Sequence, residues 1–521
     1  MEVVRSQTDK TWSAQSLSSL LGLVLVLLSS YVLRRYSNSK FKNLPPGPRY
    51  NVLGLTGTLS SLPPWERFHA LHKLFGPVMS FYQGRTPVLV LGSIQAATDL
   101  LEKRGGIYSS RPRSIMAGEI LADSMRAVPM PYGPRWRKWR TIMHASIGTE
   151  GARNFKPLQS LESKILLREL LVAADPSAYP PLLRKINHET DEAFARSVSL
   201  CIGTMDISYI NGVFSQIQHA REIYCGIVAF PIKALQWFRY APERQRKIDV
   251  KNYVTFINEV RQKVAQGSAQ FSAALKAIEK QEELGFTDAQ ISYAAAAPFN
   301  AGVGTSLASI EVFLMAMLHH PHVMKKAQEE IDRVVGPNVL PEFDDAPRLP
   351  YVSAMIHETM RWRPIIPLGI AHSVITEDTY NNYYIPNAST VFANLYSMSK
   401  DEEMFPNPDK YEPERYLNPD PKLPKPNTTF FFGFGRRICP GMHVAQNTLF
   451  IAIARLLWAY DIVPPKDQSG NRILPDPNDF DEGLVIHPKP FKYHFILRRQ
   501  SAKALIEAEY GQALVDAEAW M

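Results

Sequence analysis

Phe431-Phe432-Gly433-Phe434-Gly435-Arg436-Arg437-Ile438-Cys439-Pro440-Gly441 holds one of only three cysteines in a chain of 521 residues, the others being Cys201 and Cys225. Glycines at 433 and 435 permit positive φ and close backbone approach, which lets amide groups turn toward the sulfur of Cys439. The following MHVAQNTLFIAIARLLWAY is helix-forming and largely apolar, so Cys439 stands just before a helix N-terminus, where the dipole favours a thiolate. A thiolate in a tight, mostly apolar loop suits a single axial metal bond, such as that to haem iron. Two other readings stand beside it. One is a buried free cysteine, the commonest fate of a lone thiol. The other is a zinc pair with His443, which supplies only two ligands with no further cysteine nearby.

Outward from this segment, the composition is that of a large globular protein: 45% hydrophobic and 21% charged, which excludes a disordered or fibrous chain. Three cysteines with no CxxC argue against both a disulfide framework and a multi-cysteine zinc site. The formal charge is +8, from 58 Lys and Arg against 50 Asp and Glu, and the basic residues form no long block. That argues against nucleic acid and fits an acidic protein partner or an anionic membrane.

Residues 17–33, LSSLLGLVLVLLSSYVL, form an uncharged run of about 25 Å as a helix, the short end of what spans a bilayer. Arg34, Arg35, Lys40 and Lys42 follow, and positive charge on that side keeps the main body cytoplasmic. The expected organisation is a short lumenal segment at 1–16, a transmembrane anchor at 17–33, and a basic, proline-rich hinge at 34–48. A single large domain at 49–500 and a C-terminal extension at 501–521 complete it. No Gly/Ser linker divides residues 50–500. A hairpin is expected at PVMSFY-QGRT-PVLVLG, and a helix between Pro321 and Gly336. Asn381 to Asp420 reads as short strands and loops, and the Ala- and Glu-rich end as a surface helix. The fold class is therefore mainly α with small β-sheets.

Phe432-x-x-Gly435-x-Arg437-x-Cys439-x-Gly441 resembles the haem-binding signature of the cytochromes P-450 at every fixed position. Other motifs occur in that family's order, and the resemblance runs from about Pro45 to Arg498. Glu358 and Arg361, in HETMRWRP, resemble the family's ExxR pair, and YEPERYLNP supplies Arg415. The resemblance implies that these three form an ion network beneath the haem that holds the fold without touching substrate. Trp136 and Arg140, in RWRKWR, resemble WxxxR. By the same likeness Arg140, Arg437 and His372 serve the haem propionates, through charge-assisted bonds. The implied cofactor is heme b, with Cys439 as axial ligand.

Thr287-Asp288-Ala289-Gln290 is a capping box opening a helix that ends near His319. Within it, Ala301-Gly302-Val303-Gly304-Thr305-Ser306 is similar to the family's oxygen-activation motif, in which small residues leave room for dioxygen and the threonine hydroxyl binds it. Gly304 departs from the pattern, because an Asp or Glu usually stands there to relay protons. Delivery then rests on Thr305, Ser306 or ordered water. Pro298 removes a helix bond and is expected to kink the helix one turn earlier.

Apolar residues at Ile365, Ile366 and Leu368, at 484–486, and in a loop at 110–130 point to a lipophilic substrate. The stretch GIVAFPIKALQWFRYAPE is suited to dipping into the membrane beside the anchor. The resemblance, closest in phrases such as EKRGGIYSSRP to fungal microsomal members, implies a monooxygenase of secondary metabolism in the endoplasmic reticulum membrane. Terpenoids are the favoured substrate class and polyketides the next. Electrons from NADPH must come through a separate cytochrome P-450 reductase, because the chain has no flavin or nicotinamide fingerprint. Gly304 also motivates an alternative: a haem–thiolate isomerase or dehydratase that needs no reductase.

Overall fold

A computed structural model describes residues 43–48, 62–83, 86–173, 236–417 and 429–518, together with the helical Val26 and Ser29. The segment 1–16, nearly all of the expected anchor at 17–33, and residues 226–235 of the apolar stretch lie outside the described residues.

The architecture is mainly helical with small sheets. The principal helices are α1 (Pro64–Phe75), α2 (Pro134–Ile147), α3 (Lys156–Ala173), α4 (Gln236–Ala265) and α5 (Asp288–His319), followed by α6 (Pro321–Val334), α7 (Pro350–Trp362), α8 (Met442–Ala459) and α9 (Gln500–Glu518). Proline at the first turn starts several of them, where a missing N–H costs nothing. Helix α6 stops at Gly336, whose φ of +90° suits a residue without Cβ.

Helix α5 is the axle of the fold. Its capping box forms as expected: the Gln290 N–H donates to Thr287 Oγ1 at 3.3 Å and the Thr287 N–H to Gln290 Oε1 at 3.0 Å. The helix then runs 32 residues with Pro298 inside it, so the proline does not end it. Among the described residues it is long and apolar enough to cross a membrane, yet most of it is buried inside the protein, which makes it a core helix. One large cluster packs its second half against α3, α6, α7 and α8. A second packs its first half against α2 and α4.

The expected hairpin is present as β1 (Val78–Gln83) and β2 (Thr86–Leu91). It belongs to a four-stranded sheet completed by β3 (His372–Ser373) and β6 (Thr390–Ala393), in the order β1-β2-β6-β3. Strands β4 (Asp378–Tyr380) and β5 (Tyr383–Ile385) form a second pair, closed by Asn381 and Asn382 at φ +50° and +64°. Strand β7 (Tyr460–Val463) continues directly from α8 and pairs with β8 (His494–Leu497).

Three local differences from the sequence reading have simple causes. The proline segment at 43–48 is fastened to the body: Pro46 O accepts the Ser80 N–H at 2.9 Å and Pro45 O accepts Ser80 Oγ at 2.6 Å. The region 381–420 includes short helices, Leu395–Ser399 and Glu414–Leu417, the first capped by Asn394. The loop at 110–130 contains a helical turn at Ile115–Ile120.

Candidate active site

The loop before α8 is shaped by its glycines. Gly435 has φ +56°, and a Cβ there would stand 2.3 Å from the Leu101 carbonyl oxygen, so the loop can lie on residues 98–103 only without a side chain. Gly433, at φ +86°, turns the chain so that the Cys439 N–H reaches Phe432 O at 2.9 Å. Cys439 is free and half-buried. Burial raises its thiol pKa, while the Gly441 N–H and the Arg140 charge pull it down. A bound cation is what the buried sulfur needs in order to ionise.

Beside the sulfur loop lies a concentration of positive charge. Arg140, on α2, donates to Ile438 O at 2.7 Å. Arg437 donates to Ser109 O and Met130 O, each at 2.7 Å, and stacks on the Trp136 ring at 4.3 Å. His372, placed by the pairing of β3 with Val391 of β6, holds Nδ1 2.8 Å from Tyr108 O. The structure adds a residue that the sequence reading missed. Arg111 is buried and donates to Ile370 O and Ala371 O at 2.7 Å and to Val128 O at 3.1 Å.

Among the described residues Arg111, Arg140 and Arg437 form no ion pair, and their partners are carbonyls. Burial, then the Arg111 and Arg140 charges, push the Arg437 pKa down. Burial and the nearby Arg111 depress His372 to about 3. Such a cluster, lacking any carboxylate, fits a ligand that brings two of its own. Heme b has that form, with an iron for the thiolate and two propionates for the cations.

On α5 the surface opens at one place. Residues on either side are buried, but Asn300 and Ala301 are exposed and Gly302 to Thr305 half-buried. Thr305 Oγ1 donates to Ala301 O at 2.7 Å, which leaves its oxygen lone pairs free to accept. Ser306 is buried, and Ser309 Oγ donates to Thr305 O at 3.0 Å. A Cβ at Gly304 would meet nothing within 4 Å, so the missing acid leaves real space.

Glu358, Arg361 and Arg415 come together away from this opening. Arg361 clasps Glu358 through Nε–Oε2 at 2.7 Å and Nη2–Oε1 at 2.8 Å, both side chains wholly buried. Arg415 Nε adds a bond to Glu358 Oε1 at 3.2 Å. Arg361 also caps the carbonyls of Ser399, Pro408 and Lys410, fastening α7 to the irregular segment. Of the apolar residues expected to line the site, Ile486 is buried and bonds Ile365 O through its N–H at 2.9 Å, whereas Leu484 is exposed.

Known proteins resemble this chain along nearly all its length. The family profile described as Cytochrome P450 matches residues 45–495. Cytochrome P450 monooxygenase 58 of Postia placenta is 36% identical over 500 residues, covering 91% of either chain. Cytochrome P450 monooxygenase virE of Hypocrea virens is 33% identical over 498 residues, covering 90% of this chain and 88% of that one. Among solved structures, a zebra fish cytochrome P450 with progesterone superposes with a TM-score of 0.69, over 84% of this chain and all of that one. At 22% identity that likeness speaks for the fold alone.

Proposed function

The chain belongs to the cytochrome P450 family and is a haem–thiolate monooxygenase, and from that premise we propose a membrane-anchored enzyme of fungal secondary metabolism that oxidises a terpenoid. On this reading residues 17–33 cross the endoplasmic reticulum membrane, the domain at 49–500 stays cytoplasmic, and NADPH–cytochrome P-450 reductase supplies electrons. The observation that carries the site assignment is the acid-free cluster of Arg111, Arg140 and Arg437 beside the free Cys439. Bound heme b supplies the redox iron at which dioxygen is activated.

The residues of the chain then divide the work. Cys439 would hold the haem iron through its sulfur, its own N–H bonded to Phe432 O and the Gly441 amide directed at the sulfur. Arg140 and Arg437 would hold the propionates, with Trp136 stacked on Arg437 to fix that guanidinium. His372, whose Nδ1 is spent on Tyr108 O, would join them only as the imidazolium that a neighbouring carboxylate favours. Phe432, Gly435 and Gly441 shape the cradle. Gly302 and Gly304 keep the distal face of α5 narrow. Thr305 passes a proton through its hydroxyl, and the space beside Gly304 admits the water that recharges it, with Ser306 behind. The Glu358–Arg361–Arg415 network holds the cradle from outside the site. A lipophilic substrate is supported by the apolar residues around the opening and by the family's habits; the terpenoid choice rests on likeness to fungal relatives.

The deciding experiment feeds a terpenoid panel to membranes carrying the full chain and a reductase, under isotopically heavy dioxygen. The expected result is an NADPH-dependent product carrying one heavy oxygen, together with a 450 nm band of the reduced carbon monoxide complex that Cys439→Ala abolishes. A product formed without NADPH or heavy oxygen would sink the oxidative reading. No product from any terpenoid beside an intact 450 nm band, with turnover of a polyketide panel fed in parallel, would overturn only the substrate class.

A further inference from the structure

We propose that Asn300 accepts a hydrogen bond from a hydroxyl group of the substrate, so that the enzyme acts on a lipophilic molecule already carrying oxygen. The inference rests on the monooxygenase reading and names the substrate chemistry of that same site.

Asn300 is a polar residue where α5 otherwise presents Ala296, Ala297, Pro298, Phe299, Ala301 and Val303. It is exposed in a stretch whose preceding residues are buried, at the opening that Gly302 to Thr305 line. Four residues separate it from Gly304, about 6 Å along the helix and on much the same face. It therefore borders the same space as Gly304 and not the packed back of the helix.

The side chain is held in one orientation. Asn300 Nδ2 donates to Tyr253 Oη, on α4, at 3.2 Å. That bond uses one N–H of Nδ2; the second N–H and the whole of Oδ1 remain, and Oδ1 has no partner among the described residues. A carboxamide oxygen accepts and cannot donate, so its complement is an O–H or N–H on the ligand.

The surroundings fix Tyr253 in turn. Its ring meets Tyr293 edge to face at 5.2 Å, seven residues before Asn300 on the same helix face. The Tyr293 hydroxyl is buried with no partner among the described residues. Asp249 lies close to both rings and is bonded to Gln245 at 2.8 Å and to Arg126 at 3.3 Å. Met125 and Ala122 pack in one buried cluster with the two tyrosines. A braced amide with an acceptor open at the site, backed by a buried phenol that lacks a partner among the described residues, offers a ligand hydroxyl a fixed hydrogen-bond partner. A site built this way rejects an analogue lacking the hydroxyl far better than it rejects a change of one methylene. The reaction that precedes this one must therefore leave a hydroxyl on the scaffold.

The test needs no knowledge of the natural substrate. Full-length holoprotein is titrated with 1-alkylimidazoles of four to ten carbons, with their ω-hydroxy analogues and with their ω-methoxy analogues. Affinity is read from the Soret shift as the imidazole nitrogen ligates iron. At one chain length the ω-hydroxy compound should bind about three- to tenfold tighter than the parent, and the methoxy compound should show no such gain. Asn300→Leu should bring the ω-hydroxy compound to the affinity of its own parent at every length, whatever the shift in the parents themselves; Asn300→Ala takes its place if the leucine variant lacks a 450 nm band. No hydroxyl advantage at any length, an equal gain from methoxy, or an advantage that survives both variants would overturn the proposal. A wild-type chain without a 450 nm band would instead remove the haem–thiolate reading beneath it.

Discussion

At the scale of single residues, the three glycines of the cysteine loop make different demands, and their alanine variants should rank accordingly. Gly435→Ala combines a left-handed φ with an overlap against Leu101 and Glu102 backbone atoms that have little freedom to move. Gly433→Ala meets nothing closer than 4.0 Å, so its cost is the backbone strain alone of φ +86° and ψ −166°, a region open essentially only to glycine, about 1 to 3 kcal/mol. Gly441→Ala has φ −90° and ordinary contacts with Ile147 and the Cys439 sulfur. Haem retention through gel filtration and the denaturation midpoint should fall in the order Gly441→Ala, Gly433→Ala, Gly435→Ala. Equal loss at 433 and 435 would show that close approach to residues 98–103 is unimportant. These glycines were legible in the sequence because spacing and residue type carry their meaning. Arg111 was not, since an arginine in SSRP looks like any surface cation until folding buries it. Asn300 and Tyr293 were equally silent, because their meaning lies in α4, a helix distant in sequence.

At the scale of elements, the ion pair on α7 shows how a motif becomes a joint. Glu358 and Arg361 are three residues apart on one helix face, yet they act by binding backbone beyond the helix: the Glu412 N–H at 2.8 Å and the carbonyls of Ser399, Pro408 and Lys410. Removing one partner strands a buried charge, a loss of about 3 to 5 kcal/mol. Arg361→Lys keeps the charge but loses the planar fork that serves two carboxylate oxygens and three carbonyls. Thermal melts should show a large drop for Arg361→Lys and for Glu358→Gln, whereas the folded fraction keeps wild-type azole affinity. Weakened azole binding in a fully folded variant would place the network in the site. The helix periods, the capping box at Thr287 and the β1–β2 hairpin were all readable because they are local. The order β1-β2-β6-β3 was not: it joins strands some 300 residues apart, and β3 has only two residues, too few for any alternation to register.

At the scale of the whole molecule, the chain ends by closing over its own core. Helix α9 follows β8 and lies along α3, burying Ala502, Ile506 and Ala513. Lys164 meets Glu509 at 2.7 Å, and Arg168 reaches Glu507 at 3.6 Å while stacking on the Tyr510 ring at 5.0 Å. The partly solvated ion pairs contribute little, so the burial of Ile506 and the cover given to Leu167 and Leu170 of α3 dominate. Helix α3 also meets α8, whose N-terminus follows Cys439: Gln159 Nε2 donates to Val444 O at 3.1 Å and to Thr448 Oγ1 at 2.8 Å. Loosening α9 should therefore be felt at the haem end through α3 and α8. Truncation after Arg499 should lower the melting temperature, with Ile506→Ala reproducing about 2 to 5 kcal/mol of the loss. In the truncated protein the 450 nm band should decay toward 420 nm faster on mild warming, while its position at low temperature stays unchanged. If the band is as durable as in the full chain although the melt has shifted, α9 stabilises its own end of the molecule and the coupling through α3 and α8 does not exist.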